Sequence, residues 1–528
     1  MTSGLDRFRA VWVVAALVVL SMGATISGMR HTSATFDEIA PIAVGAYGIK
    51  TGDWTNMTRF PPVMQYLYGV PGYLSRPNYP ADFGDDHYLY ARNLLWQSGN
   101  DGEALIFRAR LVSALFAGAL IILTFALARS YFDERTALLA AALVAFLPDV
   151  LAHGGIAYND LPLATTFLAA LWAIDRSVRN PSIVTGLVAG LLASLALGIK
   201  HSAFALGPIA ILLIVLEAIA RKDRRAWAPR ISAAFGIAVL SGYLLQVILY
   251  RGDLTLLYLI DGTGALATHV SEGHHVPDPT GAHQAEATWL FYPRVFLLKT
   301  PVAFQLLLLI ALVGGIMSLR SEWRRKLLAG PARLLLVGVL VFAFMLMRAK
   351  LVIGFRYALP VLPLLAILAA AGCMYFWSRG RAFRGLIAAL AVLSAASTLS
   401  FYPYFLSYSS EYPPGPDRAY EQLFDSSLDW GQGLIALREF MREEKVDLVY
   451  LGYFGSALPE GYGINYVPLP SFFPLPAQPA PARTPRFAVV SATLLGGRYV
   501  TADAYRDPRE KMQPYKVLGH NMFVYEVK

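Results

Sequence analysis

The sequence predicts a mainly α fold: a polytopic bundle of membrane-spanning helices with a small α/β domain at its C-terminal end. Three observations carry this. The 528 residues are 56% hydrophobic and only 15% charged, with a mean hydropathy of +0.48. A water-soluble domain of that size needs more charge to cover its surface. The apolar residues come in blocks rather than at amphipathic spacing: 10–28, 231–250, 301–319 and 386–408 each run without a charge. Each block is close to the roughly 20 residues a helix needs to cross the hydrocarbon layer. Backbone groups in lipid must be bonded internally, so such blocks read as helices. Third, the blocks stop near residue 408, where Pro, Gly and charge return.

Taken in order, about eleven spans are expected: 10–28, 108–128, 136–150, 160–174, 183–199, 202–220, 231–250, 301–319, 334–347, 357–377 and 385–407. The third, fourth and ninth are short. Arg7 and Arg9 precede the first block, as in a signal peptide, but its full-span length favours a true span. Basic residues set the orientation. With the N-terminus inside, the inner segments 1–9, 129–135, 175–182, 221–230, 320–333 and 379–384 hold 19 Lys and Arg in 54 residues. The long outer loops 29–110 and 251–300 hold 10 in 132, which is the positive-inside bias. The loop after the first span is far longer than a usual connection. Its Tyr, Trp and Pro content suits interfacial helices, either as a packing lid or as the wall of a site.

The domains expected are a membrane domain, 1–408, with a large first outer loop, 29–107, and an external α/β domain, 409–528. In the latter, 433–444 has the apolar spacing of an amphipathic helix. The runs VDLVYLGYF, RFAVVSA and NMFVYEV read as short strands, with a Pro-rich connector over 468–485.

Composition also excludes. The net charge is +9, but Lys and Arg lie between apolar blocks rather than on one patch, so nucleic acid is not the partner. Cys373 is the only cysteine, so no intrachain disulfide forms. GxxxxGK[ST], HExxH and CxxC do not occur, and nothing points to ATP hydrolysis. His274, His275 and His283 lie in a loop without acidic or Cys partners at metal-ligand spacing.

Several residues could carry chemistry. Asp37 and Glu38 follow the first span, where a carboxylate is costly unless solvated or paired. As a pair of residue types they read first as an ordinary solvated loop pair, and second as a general base. Asp160 opens the fourth span, a favourable helix N-terminal position, beside His153 and Asn159. Lys200 and His201 sit in a tight turn between two spans. There a lysine either snorkels or binds a phosphate. Arg348, Lys350, Arg356 and Tyr357 form an outer basic cluster against the positive-inside trend, and Lys299 stands at the mouth of the eighth span. Together these suggest an anion site facing an acidic pair.

Five stretches, in order, resemble a known family: TFDEIAPIAVGAYGIKTGDW with RFPPVMQYLYGVPGYL, AYNDLPLATTFLAALWA, LALGIKHSAFALGPI, GFRYALPVLPLLAILAA and FDSSLDWGQGLIALREF. They are similar to motifs of the bacterial lipid-carrier-dependent glycosyltransferases of the GT-C superfamily, which include protein O-mannosyltransferases and the lipid A aminoarabinose transferase. The resemblance runs from about residue 31 to the C-terminus, and DSSLDWGQ is its most specific piece. It implies a GT-C fold and a sugar donor on a polyprenyl phosphate in a bacterial plasma membrane. The acceptor would be a hydroxyl on a protein, lipid A or a cell-wall glycan, reached from the outer face. Asp37, with Glu38 beside it, would be the base. Asp160 would position base or acceptor. Lys200, His201, Lys299, Arg356 and Tyr357 would hold the donor phosphate. A divalent cation is left open.

The sequence departs from the family at Phe60, where a histidine is usual, at Gln65, and at Ser427 and Gly433 of the DSSLDWGQG run. The competing class is a transporter or lipid flippase, which often shows duplicated halves; none is seen here.

Overall fold

The computed structural model describes residues 4–54, 61–272, 288–319, 330, 332–350, 353–476, 478, 483–501 and 503–527. Phe60, His274, His275 and His283 lie outside them. Each of the eleven apolar stretches is helical: α1 Gly4–Met29, α4 Gly102–Tyr131, α5 Glu134–Ala145, α7 Asp160–Arg179, α8 Ile183–Ile199, α9 Leu206–Ala220, α10 Arg224–Leu249, α12 Val302–Leu319, α13 Ala332–Arg348, α14 Leu362–Trp377 and α15 Arg381–Leu399. Among the described residues six helices are long and apolar enough to cross a membrane, or up to eight if each of two bent pairs counts as one span. The chain is a multi-pass membrane protein.

Where boundaries differ from expectation, a local residue explains it. α4 starts six residues early because Asp101 caps it, accepting from Ala104 N at 3.0 Å, and the helix carries Arg108 and Arg110. The last span stops at Leu399, shortly before Pro403. Pro148 bends the third stretch by 60° into a short helix, α6 Pro148–Gly154. A helix not expected from sequence, α11 Thr288–Lys299, meets α12 at 114° just before Pro301.

Two helices of the first loop, α2 Ile39–Thr51 and α3 Pro62–Leu74, pack on each other. They cross backbone to backbone at Gly45 and Gly69. A Cβ on Gly45 would lie 2.2 Å from Gln65 O, so only glycine allows this approach. Gln65 itself is fully buried there.

At one end of the bundle Arg333 pairs with Asp175 at 3.3 Å and Glu217 at 2.6 Å, Arg179 with Asp175 at 2.6 Å, and Arg221 with Glu217 at 2.8 Å. These residues come from, or border, segments assigned to one side by their basic content. Asp37, Asp160, Lys200 and Arg356 lie together elsewhere.

Beyond the last long helix the chain forms α16 Leu434–Glu443 and a five-stranded sheet of order β2-β1-β3-β5-β4. The strands are β1 Val449–Gly452, β2 Tyr466–Pro468, β3 Phe487–Ser491, β4 Lys516–Leu518 and β5 Met522–Glu526. β1 pairs in parallel with β2 and β3, and β5 pairs antiparallel with β3 and β4. α16 buries Leu434, Leu437, Phe440 and Met441, the apolar face read from its spacing. The two edge strands, three residues each, are the ones the sequence did not reveal.

Candidate active site

Four separated segments build the centre, each delivered by a break in helical structure. Asp37 lies in the turn between Met29 and α2. Asp160 is the first residue of α7. Lys200, in extended conformation (φ −157°), ends α8. Arg356 lies in the 3-10 turn Phe355–Val361, which contains Pro360 and leads into the regular helix α14, with Pro363 in that helix's first turn.

Arg356 joins the two carboxylates. Its Nη2 donates to Asp37 Oδ2 at 3.2 Å, and its Nη1 lies 3.5 Å from Asp160 Oδ2. Lys200 Nζ donates to Asp160 Oδ1. Aromatic faces hold both cations: Trp430 lies 4.1 Å from the Arg356 guanidinium carbon, with Tyr158 and Tyr357 at 5.2 and 5.1 Å, and Tyr357 lies 4.1 Å from Lys200 Nζ. The Asp37 side chain is 19% exposed, so the centre is open on that side. Tyr88 donates its hydroxyl to Asp37 Oδ1 at 2.9 Å. Burial, with the Asp37 charge added, pushes the Tyr88 phenol well above its ordinary value, so it stays a donor. Asp86 places Tyr88 by capping the helical turn His87–Arg92.

The DSSLDWGQ segment locks onto this centre. Ser427 Oγ accepts from Phe355 N at 2.9 Å. Gly354 passes so close to Ser426 that a Cβ there would stand 2.0 Å from its Oγ and would force that hydroxyl to turn away. On the other side Phe36 N donates to Trp430 O at 2.7 Å, Ser33 N to Gln432 O at 3.0 Å, and Leu434 N to Ser33 Oγ at 3.0 Å. The strap before Asp37 is thus fixed to the same turn that stacks Trp430 on Arg356. Gln432 closes that turn, accepting from Trp430 N at 2.7 Å and donating to Leu428 O at 2.8 Å.

The structure brings together Asp37, Asp160, Lys200, Arg356 and Tyr357. It does not bring the other three candidates into this cation–carboxylate network. Glu38 is 0% exposed and forms a two-pronged pair with Arg110, both contacts at 2.8 Å, while Ala157 N and Thr35 N donate to it at 2.7 and 3.0 Å. Neighbouring residues on a turn point different ways, so the Asp37 and Glu38 side chains diverge. Lys299 Nζ is buried and donates to the carbonyls of Leu406 and Tyr408, both at 2.9 Å. His201 is buried in the 3-10 turn after Lys200. Four residues escaped the sequence reading as site members: Tyr88, Tyr158, Trp430 and Asp425. Trp430, Asp425 and Tyr158 lay inside quoted motifs; Tyr88 carried no signal among the many tyrosines of its loop.

The donor set does not suit a metal ion. Asp37 and Asp160 face cations of the chain itself, and among the described residues no group of three or more His, Cys, Asp or Glu side chains converges on one point. Two carboxylates, a guanidinium and an ammonium can instead exchange partners with an incoming anion.

Residues 102–246 match the family described as dolichyl-phosphate-mannose-protein mannosyltransferase. Among solved structures, the apo oligosaccharyltransferase of Archaeoglobus fulgidus is similar in fold, with a TM-score of 0.51 at 14% identity over 80% of this chain and 60% of that one. ArnT from Cupriavidus metallidurans bound to undecaprenyl phosphate gives 0.47 at 13% identity, with 97% of each chain covered. No curated protein matches the sequence.

Proposed function

We propose that the protein transfers a sugar from a polyprenyl phosphate to a hydroxyl acceptor at the outer face of a bacterial plasma membrane, with Asp37 as general base. The observation that carries this is the bridge of Arg356 between Asp37 and Asp160, with Lys200 beside it. The donor phosphate competes with the carboxylates for Arg356 and Lys200. Once it wins, Asp37 is free to accept a proton. The acceptor hydroxyl gives its proton to Asp37, and its oxygen bonds to the anomeric carbon. The bond from that carbon to the phosphate oxygen breaks, and the phosphate leaves with the electron pair. Arg356 and Lys200 stabilise the charge that develops on it. Attack opposite the leaving group inverts the sugar carbon. Asp160 positions both cations.

The same reading places the N-terminus in the cytoplasm, treats 1–408 and 409–528 as membrane and external domains, and counts eleven spans. Membrane lipids surround the bundle.

The test supplies purified protein in vesicles with radiolabelled polyprenyl-phosphate hexose and membrane extract. Label should move into acceptor. Label that crosses a sealed bilayer without leaving its carrier would favour a flippase and overturn the proposal.

A further inference from the structure

A cavity of about 260 Å³ opens where α1 and α4 meet the C-terminal domain. Met29, Arg30, Glu103, Phe107, Arg110 and Tyr462 line it, and none of Asp37, Asp160, Lys200 and Arg356 does. Arg110, on its floor, is fully engaged with Glu38 and with the carbonyls of Met29, Thr32 and Ser33. Arg30 is not. It is exposed, its guanidinium carbon lies 5.7 Å from the Phe107 ring centre, and among the described residues no carboxylate pairs with it. Glu103 is half engaged: Oε1 accepts from Arg438 Nη1 at 2.7 Å, while Oε2 meets Nη2 only at 3.5 Å. Tyr462 is buried and accepts from Ala34 N at 3.0 Å, and among the described residues no acceptor takes its own hydroxyl hydrogen. Towards the middle of the bundle the walls turn apolar. Val19 on α1 and Leu115 and Ile122 on α4 are exposed, at near whole-turn spacing from Arg30 and Phe107. The two helices pack closely there: a Cβ on Gly118 would lie 2.9 Å from Met22 Sδ.

We propose that this cavity is a headgroup site for a bilayer phospholipid that carries a phosphodiester and a primary ammonium. The phosphate sits on Arg30, the ammonium on Glu103, and the tails lie along the exposed apolar faces of α1 and α4. The inference does not depend on the glycosyltransfer proposed above. A guanidinium fork matches phosphate oxygens, and an arginine beside an aromatic ring at the end of a membrane helix stands at headgroup depth. Basic pockets between membrane helices take phosphorylated headgroups in this way. The volume is below the roughly 300–1,000 Å³ of pockets for drug-sized ligands, so it admits a headgroup and leaves the tails outside. The carboxylate beside the cation selects the headgroup. A primary ammonium donates N–H bonds to Glu103 Oε2, a quaternary one has none to give, and a glycerol headgroup brings no charge to pair with it. Free phosphate would leave both Glu103 and the apolar faces unused.

The experiment titrates the full chain in detergent with lipids and counts bound copies by native mass spectrometry. The probes are phosphatidylethanolamine, phosphatidylcholine and phosphatidylglycerol with identical acyl chains, and glycerophosphoethanolamine, which has the headgroup without tails. Phosphatidylethanolamine should bind most tightly. Its affinity should fall about tenfold or more in Arg30→Gln, the scale of one charge-assisted hydrogen bond, and return in Arg30→Lys. Because Arg30 is exposed and unpaired, its replacement leaves the fold intact. Glu103→Gln, which keeps a hydrogen bond to Arg438, should bring phosphatidylethanolamine down to the level of phosphatidylcholine. Phosphatidylethanolamine binding indifferent to Arg30→Gln would overturn the site. Phosphatidylglycerol or phosphatidylcholine bound as tightly as phosphatidylethanolamine would overturn the role of Glu103 and the headgroup assigned here. Glycerophosphoethanolamine bound as tightly as the lipid would overturn the seating of the tails on α1 and α4.

Discussion

Arg356 Nη2 stands 3.2 Å from Asp37 Oδ2 although 319 residues separate the two in sequence. One guanidinium reaches Asp37 and Asp160 at once because its planar fork presents donors in two directions. Lysine carries its three donors on one compact charge and lacks the fixed fork that spans both carboxylates in this geometry. Arg356→Lys should therefore keep the fold but lower kcat/KM by about 100-fold or more, the scale of removing one donor to a developing oxyanion. Steady-state kinetics on carrier-linked sugar check this.

Glu38 should prove structural. Its carboxylate and the Arg110 guanidinium are fully buried against each other. Removing one partner strands the other charge, which costs about 3–5 kcal/mol. Glu38→Ala and Arg110→Met should each lower the Tm sharply, while activity per folded molecule survives. Thermal unfolding in detergent, paired with activity of the folded fraction, separates this from a catalytic role.

Lys299 should not touch the donor. Lys299→Met leaves the carbonyls of Leu406 and Tyr408 without their buried donor. The expected loss is about 1–3 kcal/mol for each oxygen left unsatisfied. The KM for the polyprenyl-phosphate sugar should not change. A donor KM raised tenfold would return Lys299 to the phosphate site.

Asp429 predicts a pH dependence. Burial pushes its carboxyl up to about 7 from 3.8, against the opposing effect of N–H donors from Thr493 and Gly431. The folded state therefore holds the proton more tightly than the unfolded state. The stabilisation is complete below about pH 4 and is lost as pH rises towards 7, at up to about 1.4 kcal/mol per pH unit. Urea unfolding, followed from pH 4 to 7, should show this decline, and Asp429→Asn should reduce it, leaving the smaller part due to Asp425, whose carboxyl burial pushes up to about 6.

The sequence made the long helices legible because lipid requires uninterrupted apolar blocks. It hid α11 because Pro293, Arg294 and Lys299 interrupt the run. The strands β1, β3 and β5 showed as β-branched and aromatic runs, whereas three-residue edge strands leave too few residues to show alternation. The site was legible in its parts only. Asp37, Asp160, Lys200 and Arg356 were each singled out by charge beside apolar blocks, and the family resemblance joined them. Adjacency ranked Glu38 with Asp37, since nothing local tells which of two neighbours turns inward to an arginine 72 residues away. Tyr88 and Trp430 act through contacts made by folding, Tyr88 to Asp37 and Trp430 to Arg356.

Asp37 is the residue on which the account turns. The most direct measurement is single-turnover transfer from radiolabelled polyprenyl-phosphate sugar by wild type and Asp37→Asn, with carrier binding measured on the same preparations. A general base contributes about 100- to 10,000-fold. Transfer in the variant should fall by that order while polyprenyl phosphate still binds at least as tightly, because Arg356 is freed from one carboxylate. Transfer at the wild-type rate in Asp37→Asn would contradict the account.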